Sequence, residues 1–286
     1  MTLSDWKAKG QCFTYKQKSI FYVDEGLGYP LVLLHGFPTS SWDWYRLWPE
    51  LIKQHRTLAF DLIGFGYSDK PTNYKYSLID QADLTESIMS ELGIKGAHIM
   101  AHDYGDSVAQ ELLARNNEGK LGFKIKSCTL LNGGLFPGVH KPRLIQKLLM
   151  TPLGSLLAKL YSKKQLSKTF NRIFGPETAP SRLEIDDFWE LISFNEGKAV
   201  AHKLIMYMAE RVTYKQRWLK SLQESICPLK LIDGAADPIS GVHMAEHYRT
   251  VIPEPNITLI EKIGHYPQIE SPQKVLESLD EFINAT

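Results

Sequence analysis

Six short apolar runs constrain this chain more than any other feature. They are "PLVLLHG", "RTLAFDL", "GAHIMA", "IKSCTLLNGG", "CPLKLIDGA" and "NITLIEKIG". Each has strand length, and most end at a glycine or a polar residue. Their apolar residues do not alternate with polar ones, so a strand built from them must be buried on both faces. That is the condition inside a parallel sheet covered by helices. Segments of helical spacing lie between them, such as "TSSWDWYRLWPELIKQH", "SLIDQADLTESIMSELG" and "VAQELLAR". Strand and helix in alternation predict an α/β fold with a mostly parallel, doubly wound sheet. "FTYKQKSIFYVDEG" alternates around a polar centre and predicts an antiparallel hairpin ahead of it.

The rhythm breaks between about Phe136 and Lys220. Here "PRLIQKLLM", "LGSLLAKLYS", "DDFWELISF" and "AHKLIMYMAERVTYKQRWLKSL" have helical character, and no strand stands out. The expected organisation is a core of residues 1–135 and 220–286, with residues 136–219 inserted as an all-helical cap. An insertion after a strand's C-terminal end lies over the edge where open α/β sheets bind ligands.

At 286 residues the chain can bury a large core without metal or disulfide support. Its 33 basic and 32 acidic residues nearly cancel. No overall basic excess points to nucleic acid or to a membrane as partner. Cys12, Cys128 and Cys227 are far apart and form no CxxC pair, which suits free thiols in a reducing compartment. "MTLSDWKAKG" contains no apolar leader, and no run reaches the ~18 apolar residues of a membrane span. The expectation is a cytoplasmic protein whose partners are a small molecule and water; oligomeric state stays open.

The loops after the strands carry the chemistry. His35 follows the first long strand, Asp61 the next, then Asp103, Asn132, Asp237 and His265. Asp103 lies in "AHDYGD", at a strand-to-helix turn with Ala101 and Gly105 two residues to either side. An aspartate there has two readings. It can cap the helix, or it can act as a nucleophile that is already ionised at neutral pH and needs no base. Asp237 precedes a proline and could be a turn residue, with Asp233 as a competing acid. "HMAEH" (His243–His247) places two histidines at helical spacing, as in some zinc sites, but little chain follows to supply a third ligand.

Together, "HGFP", "DLIGFGYSDKP", "AHDYGD", "DGAADP" and "IGHYP" resemble the signature loops of the α/β-hydrolases. The resemblance is to the epoxide hydrolase and haloalkane dehalogenase group, which uses an aspartate nucleophile, and it spans nearly the whole chain. "HDYGD" followed by "VAQELL", with "NGGLFPGVHKP", is most similar to the mesoderm-specific transcript proteins. The resemblance implies Asp103, Asp237 and His265 as nucleophile, acid and base, with the backbone N–H groups of Phe37 and Tyr104 as oxyanion hole. It implies no metal and no organic cofactor. For epoxides it implies two cap tyrosines that protonate the leaving oxygen, with Tyr207 and Tyr161 as candidates. Both kinds of enzyme commonly carry tryptophan where this chain has Tyr104, and dehalogenases carry asparagine where it has Phe37, a residue that fits epoxide hydrolases. Epoxide opening is therefore the leading expectation and haloalkane hydrolysis the alternative. A ligand-binding protein on the same fold is a further alternative, disfavoured by the complete Asp, Asp and His set.

Overall fold

The hairpin comes first. In the computed structural model, which describes residues 1–286, β1 (Gln11–Tyr15) and β2 (Lys18–Glu25) pair antiparallel. β2 then pairs antiparallel with β4 (Arg56–Phe60). The remaining strands are parallel: β3 (Pro30–Leu34), β5 (Gly96–His102), β6 (Lys124–Leu131), β7 (Leu229–Gly234) and β8 (Ile257–Ile260). The eight strands are ordered β1-β2-β4-β3-β5-β6-β7-β8. Each apolar run of the sequence contains one of the strands.

Alternate residues of these strands serve opposite faces. Val32 and Leu34 of β3 enter one apolar cluster while Leu31 and Leu33 enter the other. Ile99 and Ala101 of β5 oppose Met100 in the same way. Both faces are therefore covered. α3 (Leu78–Glu91), α4 (Tyr104–Asn117), α11 (Lys215–Gln223) and α12 (Val242–Val251) contribute to the first cluster. α1 (Leu3–Lys9), α2 (Trp48–Gln54) and α14 (Pro272–Asn284), together with the short α13 (Pro267–Glu270), contribute to the second. The α1 helix, which the apolar pattern did not signal, is pinned by Trp6. Its indole meets Trp48 and Trp42 edge-on at 4.7 and 5.9 Å.

Between β6 and β7 the chain is helical. It runs through α5 (Leu144–Leu149), α6 (Gly154–Leu160), α7 (Lys163–Ile173), α8 (Arg182–Ser193), α9 (Ala201–Leu204) and α10 (Tyr207–Thr213) before α11. The continuous helix suggested by "AHKLIMYMAERVTYKQRWLKSL" is broken near Ile205 and again at Tyr214 into α9, α10 and α11. The last of these packs on α4. α7 is a helix that the spacing alone did not reveal. It buries only Leu166, Phe170 and Ile173 and is otherwise polar.

β3 lies between β4 and β5, so the chain leaves it in opposite directions along the sheet. A crevice opens at such a switch point, outside the strand C-termini. The loops after β3 and β5 meet there.

Candidate active site

Asp103 sits on the turn between β5 and α4. Its backbone has φ 47° and ψ −99°, a sparsely populated conformation for a residue with a side chain. Such strain costs about 1–3 kcal/mol and persists only where the surroundings enforce it. Here β5 pairs with β3 up to Leu34 and Ala101, and Gly105 N–H donates to His35 O at 3.0 Å. A Cβ at Gly105 would lie 2.2 Å from Leu34 O, so only glycine lets α4 start this close to the sheet. Although Asp103 occupies the N-cap position of α4, its side chain makes no capping hydrogen bond. Oδ2 instead accepts from the Phe37 N–H at 3.2 Å, and Oδ1 faces Arg211 Nη2 at 3.4 Å. The capping interaction is absent from the geometry.

Asp237 and His265 come from the loops after β7 and β8. His265 Nδ1 lies 2.7 Å from Asp237 Oδ2. That oxygen also accepts from Asn132 Nδ2, Ser240 N–H and Ser240 Oγ, and Oδ1 accepts from the Ile239 N–H. Burial would raise the Asp237 pKa, but the His265 charge and these donors outweigh it and hold it below the usual value. For His265, burial favours the neutral ring. The charge and hydrogen bond of Asp237, then the charge of Asp103, prevail and push it up to about 9. Asp233, the competing acid, accepts the Asn132 N–H at 2.7 Å and makes no bond to His265.

The neighbouring histidines have other bonds. His102 Nε2 bonds the His265 backbone oxygen at 2.7 Å. His35 Nε2 accepts the Leu62 N–H at 3.0 Å, and its Nδ1 faces Gly36 O. Asp61 accepts from Ser41 and from the Tyr67 N–H, organising the "GFGYS" turn. In "HMAEH", His243 bonds Ile239 O and His247 lies against Phe136. No group of three or more His, Cys, Asp or Glu side chains is arranged to hold a metal ion.

A cavity with a free volume of about 80 Å³ lies beneath the helices. Ile145, Leu149, Phe170 and Ile173 make it apolar, and Phe37, Tyr161 and His265 also form its wall. Asp103, Tyr104 and Tyr207 do not line it. Tyr207 is buried behind Phe37, with 5.9 Å between ring centroids. Burial first, and then the nearby Asp103 charge, raise its phenol pKa. Tyr161 packs toward Trp189 in the wall, and its phenol is raised by burial, with no contribution from Asp103. The two candidate tyrosines therefore have different surroundings: Tyr207 is beside Asp103, and Tyr161 belongs to the cavity. Tyr104, the residue that departs from the tryptophan of related enzymes, packs its ring edge-on to Phe65 and Tyr207 at 5.2 and 4.9 Å. It brings no hydroxyl into the cavity.

This arrangement of strands and loops has relatives. The α/β-hydrolase fold family matches residues 29–272. The mesoderm-specific transcript protein of Mus musculus is 41% identical over 295 residues, covering 99% of this chain and 88% of that one. The chain is an α/β-hydrolase. Solved structures share its fold at lower identity. The epoxide hydrolase CorEH superposes with a TM-score of 0.80 at 20% identity, covering 96% of this chain and 98% of that one. The haloalkane dehalogenase DbeA from Bradyrhizobium elkani gives 0.82 at 22%, covering 96% and 97%.

One site residue of this α/β-hydrolase escaped the reading of the sequence. Arg211, on α10, is buried, and its Nε donates to Ser107 Oγ at 2.7 Å. Nη2 donates to Asp103 O at 2.8 Å, and the guanidinium covers the Tyr207 ring at 4.5 Å. The available signal was spacing, since Arg211 is one helical turn beyond Tyr207 and shares its face. His140, also unremarked, lies beside Arg211. Burial, and then the Arg211 charge, push its pKa down to about 4.

Proposed function

We propose that this α/β-hydrolase opens a small apolar epoxide through an alkyl ester on Asp103. The observation that carries the reading is the Asp103 carboxylate, held off the helix cap, hydrogen-bonded to the Phe37 N–H and placed within reach of the His265 charge. Asp103 attacks an epoxide carbon, and the carbon–oxygen bond breaks toward oxygen. The Tyr207 hydroxyl protonates the departing alkoxide, and Arg211 over its ring eases the charge left on the phenolate. The cationic His265 gives its proton back to that phenolate, and the neutral ring then takes a proton from water as the hydroxide attacks the ester carbonyl. The N–H groups of Phe37 and Tyr104 stabilise the tetrahedral oxyanion. Collapse releases the diol and restores the carboxylate, leaving His265 protonated as it began.

The timing follows from electrostatics. In the resting enzyme the anionic Asp103 helps keep His265 protonated. Esterification removes that negative charge, so the histidine pKa falls when a base is required.

Arg211 favours a second substrate class. A strained four-membered lactone attacked at its sp³ carbon would release a carboxylate, which a guanidinium matches well. Haloalkanes fit less well, because Tyr104 and Phe37 supply no side-chain N–H for a halide.

The test is His265→Gln, which stalls ester hydrolysis. The variant is exposed to terminal epoxides, chloro- and bromoalkanes and a four-membered lactone, and its peptides are weighed. A substrate-sized adduct on the Asp103 peptide with epoxides is the expected result. An unlabelled Asp103 across the panel sinks the mechanism, and labelling by haloalkanes alone reassigns the substrate.

A further inference from the structure

We propose that the outer face of α5, α6 and α7 docks this protein on an anionic lipid bilayer. Five of the thirteen exposed large apolar side chains fall between Leu144 and Leu160. Leu144 and Leu148 are one turn apart on α5, with 72% and 40% exposure. Leu153, Leu156 and Leu160 form a row along α6 at 65%, 55% and 65%. The two helices pack on each other, so the rows adjoin. A leucine face of this kind lacks a partner within the chain.

Charge identifies the partner. Between His140 and Pro176 there are eight lysines and arginines and no aspartate or glutamate. Most are exposed, including Lys147 and Lys159 beside the leucines and Lys164 and Lys168 on α7. Lys163 is matched by Asp186 of α8. The rest of the chain, 33 less eight basic residues against 32 acidic ones, is net acidic. The near-zero total thus conceals a segregated surface. Exposed leucines amid cations are the composition of an interfacial surface drawn to anionic lipid. A second copy of the chain fits less well, because a twofold contact would set this cationic face against itself.

The same helices wall the cavity. Ile145, Gln146 and Leu149 of α5 and Ala158 of α6 face inward, while the leucine rows face outward. Docking therefore sets one thin wall between the lipid and the cavity that reaches His265. The inference rests on this surface and holds whichever substrate Asp103 takes.

The test is flotation of the full chain with vesicles of phosphatidylcholine containing about 30% phosphatidylserine. Binding is expected there, with little to pure phosphatidylcholine and loss at about 0.5 M salt. Leu144→Asp/Leu156→Asp/Leu160→Asp should weaken it about tenfold or more. Lys159→Glu/Lys164→Glu/Lys168→Glu should do likewise, with thermal unfolding of both variants near wild type. Lys120→Glu/Lys220→Glu, elsewhere on the surface, should bind as wild type. No flotation at low salt overturns the proposal, as does undiminished binding by the leucine variant. A self-association that the leucine variant abolishes, without vesicle binding, assigns the face to a second copy instead.

Discussion

The loops ending β3, β7 and β8, with the Asp103 turn bonded to the first of them, and the helices between β6 and β7 face each other across one cavity, yet they hold their residues by different means. In the loops, each polar group is fixed by several others. Asp237 accepts from His265, Asn132, Ser240 and Ile239, and Asp103 is clamped by its turn. The helices opposite are tied to the body at scattered points, a few bonds at a time. Arg211 is bonded into the turn that carries Asp103, and Ile173 O at the end of α7 accepts the His265 N–H at 2.8 Å. Glu184, which accepts from Tyr45 and Arg46, ties α8 to the body from the side. The contrast separates a floor whose polar groups converge on one site from a roof attached at separate points.

The largest effect should come from the floor. Asp103→Asn keeps the shape and removes the proposed nucleophile, so turnover should fall about a thousandfold or more. The expected companion is the loss of any adduct in the His265→Gln background. Activity within tenfold of wild type would assign the chemistry to another residue.

Arg211 tests whether the roof takes part. Arg211→Met leaves the buried Asp103 with only the His265 charge nearby and its backbone oxygen without the Arg211 donor, at a cost on the order of 3 kcal/mol. Urea unfolding measures that cost, and adding Asp103→Asn should recover part of it, because the carboxylate charge is gone. If the two substitutions simply add, the contact at 3.4 Å carries no coupling.

How much of this was legible follows the same division. The floor announced itself because a parallel sheet gathers strand ends on one edge, so Asp103, Asp237 and His265 could be placed by counting apolar runs. The resemblance of its loop favours Asp237 over Asp233, and the structure adds the geometry of each carboxylate. Asp233 lies within β7 and accepts the Asn132 N–H, whereas Asp237, beyond the strand, meets His265 Nδ1 at 2.7 Å. The roof was harder to read. α7 has a sparse apolar stripe, and the breaks at Ile205 and Tyr214 carry no proline or glycine to mark them. Arg211 reads as one more charge on an amphipathic helix until tertiary packing turns it inward. The cationic leucine face was hidden by a net charge that sums regions of opposite sign.

A smaller effect should appear with pH. The His265 pKa is raised, to about 9, so the cation is the folded resting form. Its contribution to stability is fully present below the unfolded value near 6.5 and is lost as pH rises through about 9. In the proposed mechanism, catalysis runs the other way. Ester hydrolysis needs the neutral ring, so lowering the pH from 8 to 6 should raise the steady-state fraction of alkylated Asp103 severalfold. Quenched-flow mass spectrometry reads that fraction, and one unchanged with pH would remove His265 as the base.

The smallest effect sharpens the comparison within the roof itself. Tyr207 and Tyr161 are both cap tyrosines with raised phenol pKa, so sequence treats them as a pair. Tyr207 lies where the Asp103 charge reaches it and beneath Arg211, while Tyr161 packs toward Trp189 in the cavity wall. If proximity to the nucleophile decides the role, the same deletion of one hydroxyl should have unequal results. Tyr207→Phe should slow alkylation by an epoxide about a hundredfold, the scale of a lost general acid. Tyr161→Phe keeps the ring that shapes the wall and should change kcat by less than about threefold, with any effect falling on KM. Equal losses from both would mean that α6 moves inward when substrate binds, bringing Tyr161 to the leaving oxygen beside Tyr207.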